Sequence, residues 1–109
     1  MPPDIHIFAP DLLASQRWYA DVLALEPVAC GPGTLRFDLA AGPTVYLSPQ
    51  GQEAEFTLMV PHVQAYAERL RNRVGIPGEN QGRVLETRPD SVSLVDPAGN
   101  LLRLVEPSA

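Results

Sequence analysis

The chain contains no lysine; all eight of its cationic side chains are arginine. Schiff-base chemistry and a Walker-type phosphate loop each need a lysine amine, so both are excluded. It has a single cysteine, Cys30, so no intrachain disulfide can form. Its apolar runs fall far short of the roughly 20 residues needed to cross a bilayer. The N-terminus has no basic segment leading into an apolar stretch, so no signal peptide is expected and the expected location is cytoplasmic. Cations are outnumbered: thirteen acids against eight arginines give a net charge of −5 and a pI of about 4.8. Nucleic-acid binding needs clustered cations, so neither duplex nor single strand is an expected partner. The acidity is uneven. Residues 1–53 hold six acids against Arg17 and Arg36, whereas the remainder holds seven acids against six arginines. A cationic ligand suits the first half, as does a plain solubilising surface.

What the chain does have is one pattern written twice. Asp4-Ile5-His6-Ile7-Phe8-Ala9 alternates like a strand and runs through Pro10 into a helix opened by Asp11. Glu55-Phe56-Thr57-Leu58-Met59-Val60 alternates in the same way and runs through Pro61 into a helix opened near His62. The first helix is expected over 12–24, with Leu12, Ser15, Tyr19 and Val22 recurring at helical spacing and Trp18 and Leu23 alongside. Pro27 forbids its continuation. Short strands follow near 27–30, 34–39 and 43–48, broken by Gly31-Pro32-Gly33 and Ala41-Gly42-Pro43. The second helix is expected over 63–74, with Val63, Tyr66, Leu70 and Val74 on one face and Glu68, Arg69, Arg71 and Arg73 towards water. Gly75-Ile76-Pro77-Gly78 should end it. Strands are expected near 83–87, 91–95 and 101–106, the last two joined by the turn Asp96-Pro97-Ala98-Gly99-Asn100. The order is βαβββ twice, an α+β class. At 109 residues it makes one domain, with module one at 1–50, module two at 51–109 and a polar seam at 48–52.

Two stretches stand out. One is Asp11-Leu12-Leu13-Ala14-Ser15-Gln16-Arg17-Trp18-Tyr19-Ala20-Asp21-Val22-Leu23-Ala24-Leu25. The other is Asp96-Pro97-Ala98-Gly99-Asn100-Leu101-Leu102-Arg103-Leu104-Val105-Glu106. Both resemble the vicinal oxygen chelate superfamily, which includes glyoxalases, bleomycin-resistance proteins and extradiol dioxygenases. The resemblance implies two curved sheets around a central cavity, with the helices outside. Ile5, Ile7, Phe56, Leu58, Leu102 and Leu104 would then face helices. Asp4, His6, Phe8, Glu55, Thr57, Met59, Leu101, Arg103 and Val105 would face the cavity. Ala24 departs from the pattern, since the family favours glycine there.

The resemblance also implies where metal-using members place their ligands. One slot lies seven residues before the first helix cap and holds Asp4 here. The matching slot of the second module, seven residues before His62, holds Glu55. The slot of the family's final glutamate holds Arg103. A guanidinium cannot ligate a metal and stays charged. About 4 Å from a divalent ion, at an effective dielectric of about 20, it would be repelled by about 8 kcal/mol. An ion-paired cavity, with Arg103 neutralising Asp4 or Glu55, is one reading. A shifted site of Asp4, His6 and Glu55 holding a divalent metal is another.

The expected function is therefore a metal-free small-molecule-binding protein resembling the drug-sequestering bleomycin-resistance members. No cofactor is expected, and the ligand is cationic or aromatic. Its binding residues are Asp4, His6, Tyr46, Glu55, Thr57 and Arg103. The alternative is a metal-dependent lyase, isomerase or dioxygenase using Asp4, His6 and Glu55. A partner-binding module with a filled cavity is a third option. The resemblance implies a homodimer, and the seam would allow modules to be exchanged between subunits. Cys30 is expected as a small packing residue, His62 as an exposed helix start, and Asp96 and Asn100 as residues of the turn alone.

Overall fold

The computed structural model describes residues 4–39, 44–52, 54–72 and 82–106. The helix-ending run 75–78, the break at 41–43, Arg73 and Val74 lie outside them.

Module one comprises β1 (Ile5–Phe8), α1 (Leu12–Leu23), β2 (Val28–Ala29), β3 (Leu35–Asp38) and β4 (Thr44–Ser48). Module two comprises β5 (Glu55–Met59), α2 (Val63–Arg71), β6 (Arg83–Arg88), β7 (Ser91–Val95) and β8 (Leu101–Val105). The doubled βαβββ pattern is thus present, with strand ends within a residue or two of those expected. Each module makes one mixed sheet, in the orders β1-β4-β3-β2 and β5-β8-β7-β6. The first and last strands of each module pair in parallel, Ile5 with Val45 and Phe56 with Leu102. A parallel pair needs a crossover, and the helix supplies it.

Alternation decides which face of each sheet is covered. Ile5 and Ile7, Val45 and Leu47, Phe56 and Leu58, Val92 and Leu94, and Leu102 and Leu104 all point to the helix side and are buried. They form one continuous core with Trp18, Tyr19 and Val22 of α1 and with Val63, Ala67 and Leu70 of α2. Fully burying each such aliphatic or aromatic side chain contributes about 1.5–3 kcal/mol. On α2 the buried stripe is Val63, Ala67 and Leu70, while Tyr66 is only half-buried.

The helices are closed by local and distant groups. The Ala14 N–H donates to Asp11 Oδ1 at 3.2 Å, which caps α1 as its sequence suggests. His62 stands in a left-handed conformation, is exposed, and makes no capping bond through its side chain. Instead the Val63 N–H donates to Glu106 Oε1 at 3.1 Å, so a carboxylate just after β8 serves the start of α2. Arg69, expected towards water, is half-buried; its Nη1 donates to the Val22 carbonyl at 3.0 Å and so satisfies an open C-terminal acceptor of α1.

The two sheets are not closed around a central cavity within the chain. Both apolar sheet faces and both helices contribute to the one shared core. Most of the large apolar side chains are spent on that core, so each sheet presents an open face of its own, on which Phe8 and Met59 remain exposed.

Candidate functional site

The open face of the second sheet is built from alternate residues of β5, β8, β7 and β6. Register places Thr57 beside Arg103, Arg103 beside Ser93, and Ser93 beside Glu86, which makes a polar row across all four strands. A groove of about 480 Å³ runs over this face. Arg103, Ser91 and Ser93 line it with Leu101 and Val105, and Leu85, Glu86 and Arg88 close its β6 side. A register shift between Val84 and Glu86 brings Leu85 onto this wall. Arg103 Nη2 lies 3.2 Å from Glu55 Oε1. The anticipated neutralisation of a slot carboxylate by Arg103 therefore occurs at Glu55. More than half of each side chain is exposed, so water screens the pair and its contribution to stability is about 0–1 kcal/mol. On β6, Arg88 Nε is paired with Glu86 Oε1.

The first sheet repeats this lattice with different chemistry. His6 is the register partner of Tyr46, and Tyr46 of Arg36. The His6 and Tyr46 rings stack with centroids 4.7 Å apart and planes 8° from parallel. Arg36 Nε lies 3.1 and 3.2 Å from the two carboxylate oxygens of Asp38. A groove of about 440 Å³ is lined by His6, Ser48, Gln50, Gly51 and Gln52. Gly51 belongs there for a steric reason. A Cβ at that position would sit 2.2 Å from the Ile7 carbonyl oxygen, so the loop can lie against β1 only without one.

The sequence-derived site residues thus fall into two groups. His6 and Tyr46 meet on the first sheet; Glu55, Thr57 and Arg103 meet on the second. Asp4 is exposed at the entry to β1. Among the described residues no group of three or more His, Cys, Asp or Glu side chains is placed to hold a metal ion, so Asp4, His6 and Glu55 do not converge within one chain. Cys30, expected to pack inside, is exposed. Ser91, Ser93, Glu86 and Arg88 were not singled out from sequence, although the period-two alternation of Ser91-Val92-Ser93-Leu94 already marks both serines for the face opposite the core.

Asp96 and Asn100 do more than shape a turn. Asp96 is fully buried. Its Oδ1 accepts from the Ala98 and Asn100 N–H groups, and its Oδ2 accepts from Asn100 Nδ2 and from the Tyr19 hydroxyl at 2.6 Å. Asn100 Nδ2 also donates to the Phe8 carbonyl at 2.8 Å. The hairpin of module two is therefore bonded to both β1 and α1 of module one. Burial pushes the Tyr19 phenol well above its ordinary range, and the charge of Asp96 and the hydrogen bond to it push the same way.

No protein-family model and no curated protein matches the chain. Solved structures do match. An integron cassette protein from the mobile metagenome of V. cholerae aligns at a TM-score of 0.72 and 15% identity, over 99% of this chain and 95% of that one. Lactoylglutathione lyase from Agrobacterium tumefaciens aligns at 0.71 and 22% identity, over 97% of this chain and 92% of the lyase. The bleomycin resistance determinant encoded on transposon Tn5 aligns at 0.70 and 15% identity, over 100% of this chain and 98% of the determinant. The chain has the fold of these glyoxalase and bleomycin-resistance structures. In this chain the two open sheet faces carry the side chains that lie outside the shared core. One fold is shared here by a lyase and by a resistance determinant, so function must be argued from the residues on those faces.

Proposed function

We propose that this protein is a metal-free small-molecule-binding protein that acts by holding its ligand rather than by transforming it. The observation that carries the reading is the Arg103–Glu55 ion pair. The resemblance places metal ligands in the slots of Asp4, Glu55 and Arg103. Here one slot is a permanent cation and the carboxylate of another is turned towards it. A divalent ion would have to displace the guanidinium and then tolerate it nearby, so the residues present do not fit one.

The stacked His6–Tyr46 pair supports an aromatic ligand on the first sheet, since parallel rings present a flat polarisable surface. The net charge of −5 supports a cationic one. The Tn5 determinant is by its name a drug-resistance protein, and drug sequestration is the function of that kind carried over here. The reading includes a homodimer. Phe8 and Met59 end β1 and β5 at matching positions of the two modules, and both stay substantially exposed, at 39% and 47%. A second copy covering those ends would deepen each groove.

Calorimetric titration of chelator-stripped, tag-free protein with Mn, Fe(II), Ni and Zn tests the reading. The expected result is no stoichiometric binding of any of the four. Tight stoichiometric binding that is lost in His6→Ala or Glu55→Gln would instead establish a metal site, favour the metal-dependent alternative and retire this proposal. Light scattering coupled to gel filtration is expected to give twice the mass of the 11.8 kDa chain.

A further inference from the structure

The charges in and beside the second-sheet groove come in opposed pairs. Arg103 of the groove is held by Glu55, which lies beside the lining residues on β5, and Arg88 is held by Glu86 on the β6 side. These four groups cancel, so together they add no net charge to this face. Between the pairs lie Ser91 and Ser93, whose small side chains leave the floor open and add hydroxyls that both donate and accept. Leu101 and Val105 add an apolar surface beside Arg103.

That arrangement discriminates by charge. An anion drawn to Arg103 arrives beside the carboxylate of Glu55. A cation drawn to Glu55 arrives beside the guanidinium. At about 4 Å and an effective dielectric of about 20, each like-charge encounter cancels roughly the whole of the attractive one. A molecule bearing both charges on a short framework meets both partners with the correct sign. The pair opens at little cost, because its two side chains are 56% and 61% exposed and one guanidinium nitrogen contacts one carboxylate oxygen at 3.2 Å. Opening it frees the planar guanidinium for a two-point contact with a carboxylate.

We propose that the second-sheet groove binds an amphoteric small molecule of the amino-acid kind, with its carboxylate on Arg103, its ammonium on Glu55 and an apolar side chain against Leu101 and Val105. The proposal rests on the ligand-binding reading above and names the ligand class of one of its two faces. The groove volume of about 480 Å³ lies within the range of about 300–1,000 Å³ typical of small-molecule sites.

The test is an NMR titration of 15N-labelled, chelator-treated protein with three matched probes. These are leucine, isopentylamine (leucine without the carboxylate) and 4-methylpentanoate (leucine without the amine). Leucine is expected to give saturable amide shifts in 91–95 and 101–105, with a dissociation constant at least about tenfold below that of either one-charge probe. Arg103→Ala and Glu55→Gln are each expected to erase that advantage, and their own spectra report that they remain folded. Isopentylamine or 4-methylpentanoate binding as tightly as leucine overturns the proposal. So does the absence of leucine shifts in those strands, or shifts there that follow protein concentration alone and so assign the groove to a second copy. A planar aromatic cation added to the same sample separates the two levels. If it binds at His6 and Tyr46 while leucine does not bind, the amphoteric assignment fails and the ligand-binding reading stands. Stoichiometric metal binding through Glu55 makes the ligand-binding reading itself fail.

Discussion

Tyr19 shows how much one side chain can carry. It is fully buried on α1, packs edge-on to Trp18 at 4.8 Å, and donates its hydroxyl to Asp96 from 77 positions away in the chain. Nothing in the sequence pairs these two residues; helical spacing marks Tyr19 as inward-facing but does not say what its hydroxyl meets. The raised phenol pKa has a definite consequence for stability. In the unfolded chain the phenol loses its proton near pH 10, whereas in the native protein it keeps it. Above that pH the unfolded state binds fewer protons than the native state, so stability falls as pH rises, by about 1.4 kcal/mol per pH unit until the native pKa is reached. Below it both states are protonated and the phenol adds no pH dependence. Tyr19→Phe should remove this alkaline slope. At neutral pH it should cost about 1–3 kcal/mol, because buried Asp96 loses a donor. Urea unfolding of both proteins between pH 7 and pH 11 measures the two effects together. An unchanged slope in Tyr19→Phe would mean that the phenol ionises in place.

At the scale of elements, one departure from the pattern that the sequence resembles has a local physical cost. Ala24 closes α1 in the left-handed region, at φ 55° and ψ 42°, and its N–H donates to the Ala20 carbonyl. A Cβ in that region crowds the following carbonyl and costs roughly 1 kcal/mol or more, a penalty that glycine escapes. Ala24→Gly should therefore stabilise the protein by up to about 1 kcal/mol, after glycine's greater unfolded entropy is set against the relief. A rise in the urea midpoint without a change in slope checks it, and a fall would show that α1 ends less strained than its dihedrals imply. This position was legible in the sequence. So were the helices and strands of the described residues, because alternation and helical spacing are local signals, and so was the cap of α1, because Asp11 adjoins the helix it serves. The cap of α2 was not. Its acceptor, Glu106, lies 43 positions beyond Val63 and reaches it only because β8 pairs with β5. Glu106→Ala should cost about 1 kcal/mol, as removing a local cap does, and loss of helical circular dichroism at fixed urea would show it. The candidate site divides in the same way. The residues on each open face follow from alternation, but the Arg103–Glu55 contact and the separation of His6 from Glu55 depend on how the strands are ordered within and between the sheets.

For the molecule as a whole, the decisive property is that neither module owns its core. Buried side chains from both sheets and both helices form one cluster. Side-chain hydrogen bonds also tie the halves together, among them Tyr19 to Asp96, Asn100 to the Phe8 carbonyl, and Arg69 to the Val22 carbonyl. The two βαβββ units should therefore unfold as one. The chain supplies its own probe, because its single tryptophan, Trp18, is buried in module one, while far-ultraviolet circular dichroism reads both modules. Asn100→Ala removes a side chain of module two that donates to Phe8 of module one and to Asp96, each at 2.8 Å, and should cost about 1–3 kcal/mol. If the modules are one cooperative unit, tryptophan fluorescence and circular dichroism will share a single urea midpoint in the parent protein, and Asn100→Ala will lower both by the same amount. If they are independent, the substitution will lower the circular dichroism midpoint and leave that of Trp18 in place. The shared core favours the first outcome, since unfolding module two alone would expose the inner sides of Trp18, Tyr19 and Val22 to water at about 25 cal/mol per Å².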